Sequence, residues 1–155
     1  MKDLIKKHFD DLGAGNWDSY RTVLANNVEY EEMPTRQRVR GPDEYISVVK
    51  RWKTAFPDLR AIVHDISAIG DRVVAEVEWE GTHRGSLEAP FGTIPATNKQ
   101  GRVRAALVMK IENGKIRETH HYFDLFTLMT QLGLAPAVTD VAPGSARPVH
   151  ATKRT

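Results

Sequence analysis

GRVRAALVMKIENGKIRETHHYFD, residues 101–124, contains the pattern that decides the fold. Apolar side chains alternate through residues 103–111, which is typical of a β-strand with one buried face. Asn113-Gly114 is the strongest two-residue hairpin signal in the chain, because both residues tolerate the positive φ angles of a tight turn. A second strand pattern follows over residues 115–123. This stretch therefore predicts a long antiparallel hairpin.

The flanking sequence extends this hairpin into an α+β fold. Residues 62–69 and 72–81 alternate on either side of a turn at Gly70-Asp71, which predicts two more strands. Upstream, apolar residues recur at helical spacing in three segments, separated by a short strand at 28–33. Helices followed by a meander of long strands predict a curved antiparallel or mixed sheet wrapped around N-terminal helices, with a short C-terminal helix.

Local patterns also predict the structure of the connecting regions and of the C-terminal tail. Arg36-Gln37-Arg38-Val39-Arg40 is interpreted as a solvated loop, because short charge runs usually are. Asn16 predicts the N-cap of a helix that carries Trp17, Tyr20 and Leu24. The Gly and Pro residues within residues 84–100 predict an irregular connection. We divide the chain into a domain at 1–134 and an extended tail at 135–155, where Pro, Gly, Ser and Thr occur without periodicity.

Composition excludes several classes of function. The chain has no cysteine, which excludes disulfides, thiolate catalysis and cysteine-based zinc sites. Its net charge of +2 is too small to predict nucleic-acid binding. No window approaches the apolar length that spans a bilayer, and the N-terminus lacks a signal-peptide core. We expect a cytoplasmic protein without nucleic-acid or membrane partners.

Asp124 stands where the second strand of the hairpin meets a helix pattern. Its carboxylate could cap the free N–H groups of the first helical turn. It could instead face a cavity, where apolar surroundings would raise its pKa and let it accept and return a proton. Strand alternation then places His120 and Tyr122 in the cavity with it and turns His121 and Phe123 away, unless a bulge reverses this order.

A set of aromatic residues could converge on the same cavity. Core packing is the alternative for each member taken singly. Buried Tyr and Trp need partners for their polar tips, and an apolar pocket with a few polar groups is the usual small-molecule site. The candidate substrate-binding residues are Trp17, Tyr20, Tyr45, Trp52, Phe56, Trp79, Phe91 and Tyr122.

His83 has the inward parity of its strand and is a further candidate. It is either a hydrogen-bonded structural residue or a catalytic partner of Asp124 and His120. These three residue types can bind metals, but their separation in the sequence is not that of a metal site, and we expect no metal.

Several short motifs, in this order and spacing over roughly residues 4–134, resemble the SnoaL-like polyketide cyclases. That family belongs to the nuclear transport factor 2-like, ketosteroid-isomerase-like superfamily. Many members have Trp-Asp where this chain has His120-His121. The motifs that carry the resemblance are Gly41-Pro42-Asp43-Glu44-Tyr45, Phe56-Pro57-Asp58-Leu59, Gly70-Asp71-Arg72-Val73, Gly81-Thr82-His83-Arg84-Gly85, Asn113-Gly114-Lys115-Ile116, Tyr122-Phe123-Asp124 and Gln131-Leu132-Gly133.

The resemblance implies a cone-shaped sheet around helices, a pocket at its wide end, and a homodimer. It also implies that the acid matching Asp124 is the general acid/base of an intramolecular aldol ring closure, without metal or cofactor. His120, Tyr122 or His83 would then hydrogen-bond the enolate.

We therefore predict an enzyme of the cyclase, isomerase or hydratase type that acts on a small apolar or aromatic carbonyl substrate, with Asp124 as proton shuttle. One alternative is a non-catalytic small-molecule-binding or dimerisation module with the same fold. Another is an epoxide or ester hydrolase that uses the same pocket.

Overall fold

The computed structural model describes residues 1–135. The predicted α+β order, with helices first and a short helix last, is confirmed. The predicted tail lies outside the described residues apart from Ala135. In chain order the elements are α1 (Lys2–Ala14), α2 (Trp17–Thr22), β1 (Leu24–Glu32), β2 (Gln37–Arg40), α3 (Pro42–Ala55), β3 (Arg60–Ile69), β4 (Arg72–Thr82), β5 (Leu87–Ala89), β6 (Gly92–Ile94), β7 (Gln100–Glu112), β8 (Lys115–Phe123) and α4 (Leu125–Gln131).

A curved six-stranded sheet forms the body of the domain, in the order β2-β1-β8-β7-β4-β3. The predicted hairpin is its centre, because β7 and β8 pair antiparallel around Asn113 and Gly114, whose φ angles are 51° and 71°. β1 pairs parallel with β8, and the other neighbours pair antiparallel. The sheet is therefore mixed, as predicted.

The helices pack on the concave face of this sheet. α1 buries Ile5, His8, Phe9 and Leu12, which recur at helical spacing, and ends at Gly15 in the left-handed conformation. α3 has Pro42 at its start, where a missing backbone N–H costs nothing. No helix within residues 1–135 is long and apolar enough to cross a bilayer.

Three local predictions are wrong. α2 ends at Thr22, and Leu24 already belongs to β1. Residues 37–40 form the edge strand β2 instead of a loop, because Arg38 pairs with Glu31 across the strands at 2.7 Å. Residues 84–100 include the small hairpin of β5 and β6. Leu24 pairs with the distant Ile116 of β8, whereas β2 and the β5–β6 hairpin pair with residues that are close in the sequence.

A β-bulge in β8 changes which of its side chains face the helices. Lys110 of β7 pairs with Glu118, but the next β7 residue, Ile111, pairs with Ile116. β8 therefore holds one extra residue, Arg117, and alternation shifts by one position beyond it. Ile116 is buried before the bulge, and after it Thr119 and His121 are buried.

Candidate active site

An apolar pocket lies between the helices and the concave face of the sheet. Its volume is about 660 Å³ when the open mouth is included. Five of the eight predicted substrate-binding residues line it: Tyr20, Tyr45, Trp52, Phe56 and Trp79. They converge because inward strand positions and the apolar faces of α2 and α3 meet there.

The other three predicted aromatic residues do not line this pocket. Trp17 packs against Lys50, whose Nζ lies 5.6 Å from the ring centroid. Phe91 is 58% exposed at the β5–β6 turn. Tyr122 is 45% exposed on the outer face of the sheet, because the bulge in β8 turns it away from the helices.

Asp124 is an exposed helix cap, and the prediction that it faces the pocket is wrong. Oδ1 accepts the backbone N–H of Thr127 at 2.9 Å, and Oδ2 accepts the Thr127 hydroxyl at 2.5 Å. These hydrogen bonds to Thr127 lower the pKa of Asp124, whereas the predicted proton shuttle requires a raised pKa. β8 ends at Phe123, so strand alternation does not extend to Asp124.

We expect Asp124→Asn to leave both the thermal midpoint and ligand binding in the pocket close to wild type, because Asn also caps helices. Asp124→Ala should lower the midpoint, since it leaves the Thr127 N–H without its cap. Thermal unfolding followed by circular dichroism checks both variants. If Asp124→Asn folded normally but lost most of its ligand binding, Asp124 would have to be a ligand-binding residue of the pocket.

His120 and His83 also lie outside the pocket wall. His120 is on the outer face of the sheet, where Nε2 lies 2.7 Å from Oε1 of Glu118. His83 is buried beside Phe56, with its ring stacked at 5.1 Å, and its Nδ1 accepts the backbone N–H of Thr97 at 3.3 Å. His83 is therefore the hydrogen-bonded structural residue that the sequence left as an alternative.

His121 is the histidine of β8 that faces the pocket. It is 8% exposed and stands between two partners. Trp79 donates its indole N–H to Nε2 at 3.0 Å. Tyr30 lies 2.9 Å from Nδ1. A tryptophan indole can only donate, so Nε2 must carry the lone pair and Nδ1 the proton.

The hydrogen bonds continue from His121 to a buried acid, Glu32. Tyr30 donates its hydroxyl to Oε2 of Glu32 at 3.0 Å, which leaves the Tyr30 oxygen to accept the Nδ1–H of His121. Glu32 also accepts Trp52 Nε1 at 2.8 Å and the Thr35 hydroxyl at 2.7 Å. The resulting chain has a single direction, from Trp79 through His121 and Tyr30 to Glu32.

Burial keeps His121 and Tyr30 in the protonation states that this chain requires. The pKa of His121 is lowered to about 3, mainly by burial and secondarily by His8. Its imidazole is therefore neutral at physiological pH. Burial also raises the pKa of Tyr30 well above its ordinary value, with a smaller contribution from the charge of Glu32. Tyr30 consequently remains a hydroxyl donor.

His8 of α1 also lines the pocket and is 1% exposed. Its Nε2 lies 3.4 Å from the Tyr20 hydroxyl, and within residues 1–135 its Nδ1 has no hydrogen-bond partner. Burial lowers its pKa to about 3. The pocket therefore contains two neutral histidines. No group of three or more metal-ligating side chains occurs among the described residues.

Helix α4 contributes Leu128 to the pocket wall. Leu128 lies over Gly101 so closely that an added Cβ at residue 101 would come 2.7 Å from its Cδ1. Gln131 fixes the helix against β7, because its side chain accepts the Arg102 N–H at 2.7 Å and donates to the Arg102 carbonyl at 2.9 Å. Asp124 thus caps the helix that contributes Leu128 to the pocket wall.

The family model of the SnoaL-like polyketide cyclases matches residues 3–132. The chain belongs to this family. A comparison with curated proteins found no match.

Solved structures share the SnoaL-like fold with this chain. A proposed SnoaL-like polyketide cyclase from Jannaschia sp. CCS1 is 22% identical, covers 86% of this chain and 92% of its own, and gives a TM-score of 0.75. IdmH from Streptomyces antibioticus, a proposed polyketide cyclase, is 23% identical over 85% of this chain and 97% of its own, with a TM-score of 0.72. An epoxide hydrolase from M. tuberculosis is 18% identical over 84% and 86%, with a TM-score of 0.65.

Sequence reasoning missed Tyr30 and Glu32 as site residues of this SnoaL-like domain, and it placed His121 in the cavity only if a bulge reversed the alternation. A signal for Glu32 was present, because it has the same strand parity as Val28 and Tyr30, and a charged residue on an apolar strand face is unusual. His121 had no such signal. Its inward orientation depends on the bulge at Arg117.

Proposed function

We propose that this chain is a cofactor-free enzyme that removes a proton from the carbon beside a carbonyl group, as a cyclase or isomerase does. The proposed substrate is a small apolar or aromatic carbonyl compound. The observation that carries this proposal is the neutral His121 imidazole, which presents the Nε2 lone pair to an apolar pocket. Family membership supports an enzymatic role.

Trp79 would act with His121 on the substrate. Without substrate, the indole N–H of Trp79 donates to Nε2 of His121. A carbonyl oxygen that enters the pocket can accept this hydrogen bond in place of the imidazole. The exchange would free the Nε2 lone pair at the moment that the carbonyl becomes polarised. The adjacent C–H bond would then break, Nε2 would take the proton, and the N–H would stabilise the enolate oxygen.

The low pKa of His121 favours its role as a base because it keeps the imidazole unprotonated, but it also makes the protonated product unfavourable. A pKa of about 3 keeps His121 unprotonated and ready to accept a proton across the physiological range. The same burial makes the imidazolium product unfavourable. An apolar pocket also excludes water, which strengthens the hydrogen bond from Trp79 to a developing enolate.

The test uses octalone, a bicyclic β,γ-unsaturated ketone whose conversion to the conjugated isomer is followed by ultraviolet absorbance. We expect wild type to accelerate this isomerisation and His121→Asn to lower the rate by about 100-fold, the usual contribution of a general base. The matched control is His120→Asn, the same substitution one residue away on the outer face, which should stay within about twofold of wild type.

Two results would refute this proposal. One is a wild-type protein that binds octalone without accelerating its isomerisation, which would favour the binding-module alternative. The other is a His121→Asn variant as active as His120→Asn.

A further inference from the structure

Glu32 is a buried acid that the proposed abstraction step does not yet use. It is 1% exposed, and within residues 1–135 it forms no ion pair with a lysine or arginine. Three neutral donors hold it instead, from Tyr30, Trp52 and Thr35. A buried carboxylate without a cationic partner is costly, because transfer from water disfavours the charged form. Packing alone does not explain an acid at this position.

Glu32 is separated from the pocket that would hold the substrate. It does not line the main pocket and borders a smaller cavity of about 260 Å³ on the other side of Trp52. Tyr30 and Trp52 both contact Glu32 and line the main pocket. Of these two, only Tyr30 is hydrogen-bonded to His121. The hydrogen-bonded route from His121 to Glu32 therefore runs through the Tyr30 hydroxyl.

We propose that Glu32 is the terminal proton acceptor of the site, reached from His121 through Tyr30. This inference rests on the proposed function of His121. As the substrate C–H bond breaks and an N–H bond forms at Nε2, the Nδ1–H bond breaks and its proton passes to the Tyr30 oxygen. The original hydroxyl proton of Tyr30 passes at the same time to Oε2 of Glu32. The enolate is then negative, Glu32 is neutral, and the net charge is unchanged.

The relay removes the main obstacle to His121 as a base. Without it, proton abstraction would leave an imidazolium buried near His8, a product that burial disfavours. With it, both imidazole nitrogens exchange roles and the ring stays neutral. The required geometry is present, because the two transfers span 2.9 Å and 3.0 Å. Return of the proton to the product reverses the same steps.

Solvent isotope effects distinguish a relay from a structural hydrogen bond. The Nδ1–H and the Tyr30 O–H exchange with solvent, whereas the substrate C–H does not. We expect wild-type octalone isomerisation to slow by about twofold in D2O, with a curved dependence on deuterium fraction, because two exchangeable protons move in the step. Tyr30→Phe should lower the rate by about tenfold and abolish the solvent effect, and Glu32→Gln should do the same.

The controls are Tyr122→Phe and Glu118→Gln, the same substitutions on the outer face of β8. Both should keep the wild-type rate and solvent effect. A second measurement, 15N chemical shifts of the histidine ring, should find the proton of His121 on Nδ1.

The outcomes separate the two proposals. The relay is overturned if wild type isomerises octalone without a solvent isotope effect. It is also overturned if the solvent isotope effect persists in Tyr30→Phe. In both cases His121 remains the base. A His121 proton on Nε2 also overturns the relay. Absence of isomerisation by wild type refutes the proposed function, and the relay with it.

Discussion

The free energy of unfolding should fall by at least about 4 kcal/mol when the pH is lowered from 7.5 to 5.0, because His8 and His121 are buried in the neutral state and burial also lowers the pKa of His83. His8 and His121 each have a pKa of about 3 in the folded protein, against an ordinary value of 6.5. Below pH 6.5 the unfolded chain binds protons at both residues and the folded chain does not, so acid favours unfolding. Each histidine contributes about 2 kcal/mol at pH 5.0, since one pKa unit corresponds to about 1.4 kcal/mol.

The pH window separates this effect from that of the carboxylates. The acids with lowered pKa values, such as Asp58 and Asp124, have an ordinary pKa of 3.8 and lose their stabilising interactions only at lower pH. Urea unfolding at pH 7.5, 6.0 and 5.0 measures the loss. His8→Asn and His121→Asn should each remove about 2 kcal/mol of the pH dependence. Equal stability at pH 7.5 and 5.0 would contradict the burial of the two neutral imidazoles.

Gly85→Ala should destabilise the protein by roughly 3 kcal/mol, because the new methyl group has no space. A Cβ at residue 85 would lie 2.2 Å from the carbonyl oxygen of Thr54. The obstacle is backbone at the end of α3, which cannot rotate away as a side chain would. The loop cannot move easily either, since the N–H groups of Arg84 and Gly85 both donate to the Ala55 carbonyl, at 3.0 and 3.1 Å.

Gly13→Ala is the matched control for this substitution. Gly13 lies in the last turn of α1, and an added Cβ would meet nothing within 4 Å. Alanine there should stabilise the protein by about 0.5–1 kcal/mol, because glycine loses more conformational entropy on entering a helix. Urea unfolding of both variants compares the two directly. If Gly85→Ala were as stable as wild type, the close approach of the loop to α3 would be wrong.

Local patterns in the sequence determined the fold. The alternation in residues 103–111, the Asn113-Gly114 turn and the helical spacing around Ile5 and Phe9 each depend on neighbouring residues alone. Five pocket residues were also predictable, because a residue's position on a strand or helix face follows from periodicity. The family resemblance, read from motifs of the same kind, is confirmed by the match over residues 3–132.

The tertiary structure decided which residues of the central motif face the pocket. Strict alternation from Ile116 would turn His120 and Tyr122 toward the helices. Because of the one-residue bulge at Arg117, His121 and Phe123 face the helices instead. Asp124 belongs to the next helix, so its carboxylate binds Thr127. The bulge places one extra residue of β8 opposite β7, and the chain of hydrogen bonds from His121 to Glu32 joins strands that are 91 residues apart at Tyr30 and His121. Neither the bulge nor this chain of hydrogen bonds can be predicted from a local sequence pattern, because each depends on contacts that exist only after the sheet has formed.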